Sequence, residues 1–219
     1  MSKVAVVLSG SGFLDGSEIQ ESVITMLTLD KAGVKYECMA PDMPQMHVVN
    51  HLTGDVSEGE QRNVLVEAAR IARTQIIDVA DANPDDYDAV IFPGGYGAAK
   101  NLSDFAVNGA NSLVQHDVLK FARGFAESGK PMGYICIAPA LIPHIYGKNA
   151  KLTIGSDTDT AAAITEMGGI HENCPVDEFV VDEKRRIVST PAYMLNMRIS
   201  EVATGIEKLV NKVIEMING

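Results

Sequence analysis

Cys136 occupies the position in this sequence that best suits chemistry. Residues 131–135 have the composition of a short buried strand, and residues 137–142 are typical of the first turns of a helix, where Pro139 is tolerated. Cys136 is then the hinge of a sharp strand-to-helix turn, which holds its sulfur at the carboxyl edge of the sheet and toward the positive end of the helix. That setting favours the thiolate and predicts a nucleophile. The alternative is a small buried hydrophobic residue, and the turn alone does not decide between the two.

Size and composition limit the classes of protein. The chain has 219 residues, of which 46% are hydrophobic and 21% charged, which suits a single domain over residues 1–219. Its 18 basic and 29 acidic residues give a net charge of −11, which predicts neither a nucleic acid nor a membrane as partner. Three cysteines are too few for a disulfide framework, and the chain enters a strand without the pattern of a signal peptide. The predicted location is a reducing cytoplasm.

Strand and helix patterns alternate along the chain, which predicts an α/β fold with a mostly parallel sheet covered on both faces. The polar, irregular residues 41–60 are long enough for an excursion over an active site. Gly129 is suited to end a helix just before the strand that leads to Cys136. The predicted strands cover residues 4–9, 34–40, 89–92, 131–135, 152–155, 176–181 and 187–190, and the predicted helices begin near residues 17, 61, 112 and 156, with a last one at the end of the chain.

The first helix is predicted to bring a carboxyl group to the same edge of the sheet. Ser17 and Gln20 have the spacing of a capping box, and Glu18 lies one residue inside it. A carboxyl beside a thiol in a partly dry pocket is pushed toward its protonated form, so Glu18 is able to hydrogen-bond a thiolate or carry a proton. The alternative is an acidic residue that only favours the helix dipole. The apolar residues at helical spacing are Ile19, Val23, Met26 and Leu27.

Three turns converge at the carboxyl edge of the predicted sheet, where open α/β sheets bind their ligands. They are the first strand-helix turn, the glycine-rich turn 93–97 and the turn at Cys136. The backbone N–H groups of Gly95 and Ile137 are therefore predicted to form an oxyanion hole beside the sulfur. The predicted substrate-binding positions around it are Gly94, Asn50, His51 and Asn101.

Two histidine patterns are weaker candidates. His47 and His51 have a metal-like spacing if they are helical, but the prolines around them argue against a helix, so no metal site is predicted. His144 lies about two helical turns beyond Cys136, too far to act as its base. The glycines of residues 10–16 have one residue too many for a dinucleotide-binding loop, so nucleotide binding is set aside.

Six blocks of sequence follow one another over essentially the whole chain. They are residues 8–12 (LSGSG), 15–18 (DGSE), 50–54 (NHLTG), 93–102 (PGGYGAAKNL), 136–140 (CIAPA) and 190–194 (TPAYM). Together they resemble the ElbB family, also called the enhancing lycopene biosynthesis proteins. That family belongs to the PfpI/ThiJ branch of the class I glutamine amidotransferase-like superfamily.

The resemblance implies a flavodoxin-like three-layer sandwich and a homodimer. It carries Cys136 over as the nucleophile, Glu18 as the carboxyl beside it, and Gly95 with Ile137 as the oxyanion donors. Members of the family are described as glyoxalases that need no glutathione, with protein deglycation debated. The implied function is conversion of glyoxal or methylglyoxal to a 2-hydroxy acid, with a small aldehyde as substrate and no cofactor.

The sequence departs from the superfamily in one respect that bears on function. Many members place a histidine soon after the strand that leads to the nucleophile, whereas residues 152–157 contain none, so the triad is incomplete. Glutaminase and peptidase chemistry both need such a partner and become poor candidates. Because a thiol without a histidine partner is expected to react slowly, two alternatives to the glyoxalase stay open. One is a thiol-based redox or stress sensor, in which Cys136 is oxidised to a sulfinic acid. The other is a regulatory binding protein linked to isoprenoid metabolism.

Overall fold

A central sheet with helices on both faces organises the protein, in a computed structural model that describes residues 2–219. The strands are β1 (Lys3–Val7), β2 (Lys35–Ala40), β3 (Ile76–Asp78), β4 (Ala89–Phe92), β5 (Met132–Ile135), β6 (Lys151–Leu152), β7 (Ile170–His171), β8 (Val180–Asp182) and β9 (Ile187–Thr190). The helices are α1 (Ile19–Lys31), α2 (Val64–Ile71), α3 (Tyr96–Lys100), α4 (Phe105–Asn108), α5 (His116–Ser128), α6 (Ile142–Tyr146), α7 (Thr158–Glu166) and α8 (Ile199–Asn218).

The main sheet has seven strands in the order β3-β2-β1-β4-β5-β9-β8, and every pair is parallel except the hairpin β8-β9. The short strands β6 and β7 pair in a separate sheet. This topology places β1, β4 and β5 side by side at the centre, so the turns that follow them meet at one edge. The predicted α/β fold with a mostly parallel sheet is confirmed.

Alternate side chains of the central strands enter two apolar layers, because successive residues of a strand point to opposite faces. Val4 and Val6 of β1 pack beneath α1, α2 and α8, whereas Ala5 and Val7 pack beneath α5, α6 and α7. The buried strands explain the continuous apolar runs in the sequence. Each fully buried large aliphatic or aromatic side chain contributes about 1.5–3 kcal/mol to this core.

The first helix buries a different face from the one that its apolar residues suggest. Ile19, Val23 and Leu27 are 46%, 46% and 45% exposed, and of the predicted apolar set only Met26 is buried. The face packed in the interior carries hydroxyl groups instead, and each is satisfied by the carbonyl four residues earlier, which removes the cost of burying it. These hydroxyls belong to Ser22, Thr25 and Thr28, which donate to the carbonyl oxygens of Glu18, Glu21 and Ile24.

The predicted capping box of this helix is also wrong. Glu18, not Ser17, is the N-cap, and its Oε2 accepts a hydrogen bond from Glu21 N at 2.6 Å. The hydroxyl of Ser17 accepts from the backbone N–H of Ser9 instead, which ties the start of the helix to the end of β1. The side chain of Glu18, which the sequence predicts to lie beside the thiol, is therefore engaged in capping the helix.

Most other elements lie within a few residues of their predicted bounds. The run 89–92 is the strand β4, Gly129 ends α5 in the left-handed conformation with φ +66°, and the charged hairpin joins β8 to β9. After Cys136, however, the chain forms a 3₁₀ turn at Ala138–Leu141 and then the five-residue α6. Pro139 and Pro143 lack backbone donors, which explains why no longer regular helix forms there. The predicted strand 152–155 shortens to β6, and the edge strand β3 was not predicted.

Candidate active site

The turn at Cys136 has the strained backbone of a nucleophile elbow. Cys136 follows directly on β5 and has φ +62°, a left-handed conformation that is costly for a residue other than glycine. Its backbone N–H donates to the carbonyl oxygen of Thr190 at the end of β9, at 3.0 Å. The strand pairing thus holds the residue in this conformation, and the thiol side chain is only 7% exposed. The predicted sharp turn is confirmed.

Glu21 is the carboxyl group beside the sulfur. Its side chain is fully buried and interacts with the thiol of Cys136. The same carboxyl accepts the backbone N–H of Gly94 on Oε2 at 2.9 Å and that of Tyr193 on Oε1 at 3.3 Å. Three elements, α1, the turn after β4 and the turn after β9, therefore fix this carboxyl against the thiol.

The predicted position of Glu18 beside the thiol is corrected by this geometry. Glu18 and Glu21 are three residues apart on α1, and the two carboxyls interact, but only Glu21 reaches Cys136. Glu18 has its oxygen engaged on the helix N-terminus. Its pKa is raised by burial, with the N–H groups of Glu21 and Gln20 acting in the opposite direction.

The two predicted oxyanion donors face the sulfur. The backbone N–H groups of Gly95 and Ile137 lie near the sulfur of Cys136, and both act to lower the pKa of the thiol. Gly95 has φ +91°, and a Cβ there would lie 2.3 Å from Glu18 N. A Cβ on Gly94 would lie 2.4 Å from the Cβ of Cys136. Only glycines fit this turn, because the backbone approaches both the thiol and the start of α1.

Burial dominates the electrostatics of the pair. It raises the pKa of Glu21 to about 8, and the charge of Glu18 acts in the same direction. Burial, together with the charge of Glu21, raises the pKa of Cys136 above its usual range, against the N–H groups of Gly95 and Ile137. The expected thiolate is therefore corrected: at neutral pH both groups hold protons, since the short helix beyond Cys136 supplies little dipole to offset desolvation.

Asn101 is a brace and not an open binding group. Its amide nitrogen donates to the carbonyl oxygens of Ser9 and Asp15, at 2.8 and 2.9 Å, and its oxygen accepts from Met46 N at 3.0 Å. The side chain is 2% exposed. It connects α3 to the turn after β1 and to the polar excursion, and so it positions the backbone around the site.

Asn50 and His51 belong to a hairpin tip that packs on the turn after β1. The oxygen of Asn50 accepts from Leu52 N within the same tip. His51 accepts the N–H of Leu14 on Nε2 at 3.2 Å, so its Nδ1 carries the hydrogen that is donated to the carbonyl of Val49. The predicted excursion is present, but the ring nitrogens of His51 serve the backbone and not the thiol.

His144 contacts a different part of the molecule. Its Nε2 lies 3.1 Å from the hydroxyl of Ser112, and burial lowers its pKa. It is not among the groups that act on Cys136, which agrees with the prediction that it is too distant to be the base. Within residues 2–219 no group of three or more histidine, cysteine or acidic side chains is arranged to hold a metal ion.

Access to the sulfur is narrow. A cavity of about 810 Å³ lies between α1, α2 and the β2-β3 edge, and its lining includes Val23, Tyr36 and Ile71 but neither Cys136 nor Glu21. The volume alone would favour that cavity as a binding site, but the polar groups converge on Cys136. We therefore assign the candidate active site to the groups around the nearly buried thiol of Cys136.

Glu21 and Tyr193 are the residues of the site that the sequence analysis missed. Glu21 is one turn farther along α1 than the expected carboxyl, and the apolar stripe gave the wrong buried face for the helix. The polar set that includes Ser22 and Thr25 recurs at helical spacing too, and a charged residue on that face is a signal of function. Tyr193 lies in the block 190–194, whose role had no physical interpretation in sequence alone.

Comparisons with known proteins agree with this geometry. Residues 3–194 match the family described as DJ-1/PfpI. The chain is 43% identical to the human glutamine amidotransferase-like class 1 domain-containing protein 3, mitochondrial, and 41% identical to the rat ES1 protein homolog, mitochondrial. These matches cover 98% of this chain and 83% and 84% of those proteins.

Two solved structures extend the comparison. An isoprenoid biosynthesis protein with an amidotransferase-like domain from Ehrlichia chaffeensis superposes with a TM-score of 0.92 at 37% identity, over 99% of both chains. Glyoxalase III from Candida albicans superposes with a TM-score of 0.60 at 15% identity, over 98% of this chain and 97% of that one, which shows the shared fold alone. The predicted flavodoxin-like sandwich is confirmed.

The same comparisons bear on location. The human and rat relatives are named as mitochondrial proteins, so the cytoplasmic location stays a prediction. None of the helices in the described part of the chain has both the length and the apolar character to cross a membrane.

Proposed function

The chain belongs to the DJ-1/PfpI family, and on that premise we propose that it is a glutathione-independent glyoxalase with Cys136 as its nucleophile. The observation that carries the proposal is the buried pair of Cys136, on a strained turn, and Glu21 of α1, with two backbone N–H groups near the sulfur. The narrower assignment to the ElbB branch is part of the proposal, and the similarity to an isoprenoid biosynthesis protein supports it.

In the reactive state the pair holds one proton. The sulfur of Cys136 adds to one aldehyde carbon of glyoxal, and the carbonyl electron pair moves to oxygen beside the N–H groups of Gly95 and Ile137. The carboxylate of Glu21 takes the thiol proton and passes it to that oxygen. The product is a neutral hemithioacetal, and Glu21 is again a carboxylate.

The following step is an internal oxidation and reduction that needs no cofactor. Glu21 takes the hydrogen of the sulfur-bearing carbon as a proton and returns it to the neighbouring carbon, while the hydroxyl proton moves to the neighbouring oxygen. The first carbon is oxidised to a thioester and the second is reduced to an alcohol. Water then cleaves the thioester, which releases the 2-hydroxy acid and regenerates the thiol of Cys136.

The burial of the sulfur favours small substrates. Because Cys136 is only 7% exposed, a two- or three-carbon aldehyde fits the approach far better than an aldehyde adduct on a protein side chain. Free glyoxal and methylglyoxal are therefore the proposed substrates. Protein deglycation is expected to be the slower activity.

The decisive experiment measures glyoxal consumption without glutathione, for the wild type and for Cys136→Ala. The wild type should form a 2-hydroxy acid, with a rate that rises between neutral pH and about pH 8 as Glu21 ionises. Cys136→Ala should abolish turnover. Equal rates of glyoxal consumption by the wild type and by Cys136→Ala would disprove the proposal.

A second candidate is a thiol-based sensor, which the lack of a histidine among the groups acting on Cys136 favours. Two molecules of a peroxide would oxidise the thiol to a sulfinic acid and be reduced to water or alcohol. The N–H groups of Gly95 and Ile137 and the protonated Glu21 would then stabilise the new oxygens. Peroxide treatment followed by mass spectrometry of the Cys136 peptide tests this, with the absence of added oxygen as the opposing result.

A further inference from the structure

Residues 190–193, the last residue of β9 and the three that follow it, form a segment that contacts both members of the reactive pair. The carbonyl oxygen of Thr190 accepts the backbone N–H of Cys136, and the backbone N–H of Tyr193 faces Oε1 of Glu21 at 3.3 Å. A displacement of this segment would therefore change the position of the thiol and of the carboxyl together.

Two features fix the far end of the segment. Ala192 is fully buried with φ +43°, a left-handed conformation that is strained for alanine and persists only where the surroundings enforce it. The phenol of Tyr193 hydrogen-bonds the side-chain oxygen of Gln20, which is the neighbour of Glu21 on α1. Tyr193 thus bridges the turn after β9 to the helix that carries the carboxyl.

The two contacts to the carboxyl of Glu21 are unequal. Oε2 accepts the N–H of Gly94 at 2.9 Å, which is a good hydrogen bond, whereas the contact of Oε1 with the N–H of Tyr193 is longer, at 3.3 Å. Oε1 is therefore the oxygen that takes up a proton with the smaller loss of hydrogen bonding. The position of Tyr193 decides how readily that happens.

We propose that Tyr193 is a positioning residue. Its ring is anchored on Gln20, so that its backbone N–H holds the Glu21 carboxyl beside the thiol of Cys136. The inference rests on the pair assigned above as the reactive groups. The experiment that tests it measures the reactivity of the Cys136 thiol and does not require turnover of an aldehyde. The titratable groups that face Glu21 are Glu18 of the same helix, Cys136 after β5 and Tyr193 after β9.

The test follows alkylation of Cys136 by iodoacetamide as a function of pH, with mass spectrometry to assign the site. Tyr193→Phe and Gln20→Leu both remove the anchor and leave the backbone N–H in the chain. Because Glu21 takes the thiol proton, its own pKa of about 8 should give the profile an inflection. Each variant should move this inflection upward by about half a unit, because a displaced N–H no longer favours the charged carboxylate. Tyr36→Phe, at a half-exposed tyrosine on β2, should leave the profile unchanged.

Glyoxal turnover in the same variants separates this inference from the proposed function. The kcat should fall severalfold in Tyr193→Phe and Gln20→Leu with little change in KM. Shifted alkylation profiles with no turnover in the wild type would support the positioning role and reject the glyoxalase. Folded variants with the wild-type inflection would overturn the positioning role. If Tyr193→Phe shifts the inflection and Gln20→Leu does not, then the contact with Gln20 is not what anchors the ring of Tyr193.

Discussion

The carboxyl of Glu21 lies against the thiol of Cys136 inside the protein core, and among residues 2–219 no cationic side chain acts on either group. Charge on either group is costly there, so the two groups titrate as a pair and protons leave the pair in steps. The pair therefore shapes stability and pH dependence as well as reactivity.

Glu21 should make the protein less stable as the pH rises from about 5 to 8. The unfolded carboxyl loses its proton near pH 4.5, whereas the folded one keeps it to about 8, so the folded state binds more protons across this window. The effect is on the order of a few kcal/mol. Urea unfolding at pH 5 and pH 8 should show a larger drop in free energy of unfolding for the wild type than for Glu21→Gln. Equal drops would show that Glu21 titrates normally in the folded protein.

Cys136 should be the first of the three cysteines to react with iodoacetamide at neutral pH, but more slowly than free cysteine. Burial raises the pKa of Cys38 to about 12 and that of Cys174 to about 11. Burial also raises the pKa of Cys136, but two backbone N–H groups favour its thiolate, and the carboxyl of Glu21 lies beside the sulfur to take its proton as it reacts. Peptide mass spectrometry over time measures the order. Faster labelling of Cys38 or Cys174 would contradict the assignment.

The fold and the elbow could be predicted because local signals fix them. The apolar run before Cys136 forms a strand between two others, and glycines are the only residues that fit the turn at Gly94 and Gly95. The strained φ of Cys136 follows from the abrupt change between these elements. Such features depend on neighbours in sequence and on the order of parallel strands.

The identity of the carboxyl could not be predicted, because it depends on the rotation of α1 about its axis. Sequence periodicity gives two faces for this helix, one apolar and one rich in hydroxyls, and the packing against α8 and the sheet selects the second. Because the hydroxyls on this face hydrogen-bond to backbone carbonyls of the same helix, burying the face costs little free energy. With this face packed inward, Glu21 and not Glu18 lies beside Cys136.

The exposed stripe on α1 is expected to be the contact surface of a homodimer, which the family resemblance implies. Ile19, Val23 and Leu27 lie on this stripe, and the helix has no exposed charge from Ile19 to Leu29. In a chain of net charge −11, a second copy meets the least repulsion at such a face. Val23→Asp should therefore yield monomers by sedimentation, whereas Val66→Asp, at a 62% exposed position on α2, should not. A monomeric wild type, or a dimer in Val23→Asp, would reject this surface.

The assignment of the proton carrier is tested by two matched substitutions on one helix. Glu21→Gln keeps the size of the side chain but cannot cycle a proton, so glyoxal turnover should fall by about a hundredfold or more. The thiol should still add to the aldehyde, and mass spectrometry should detect an adduct on Cys136 that releases no product. Glu18→Gln retains an oxygen for the N–H of Glu21, so the helix cap persists and turnover should stay within a few fold of wild type. If Glu18→Gln instead loses as much activity as Glu21→Gln, then Glu18 has a direct part in the proton transfer, as its place in the sequence first suggested.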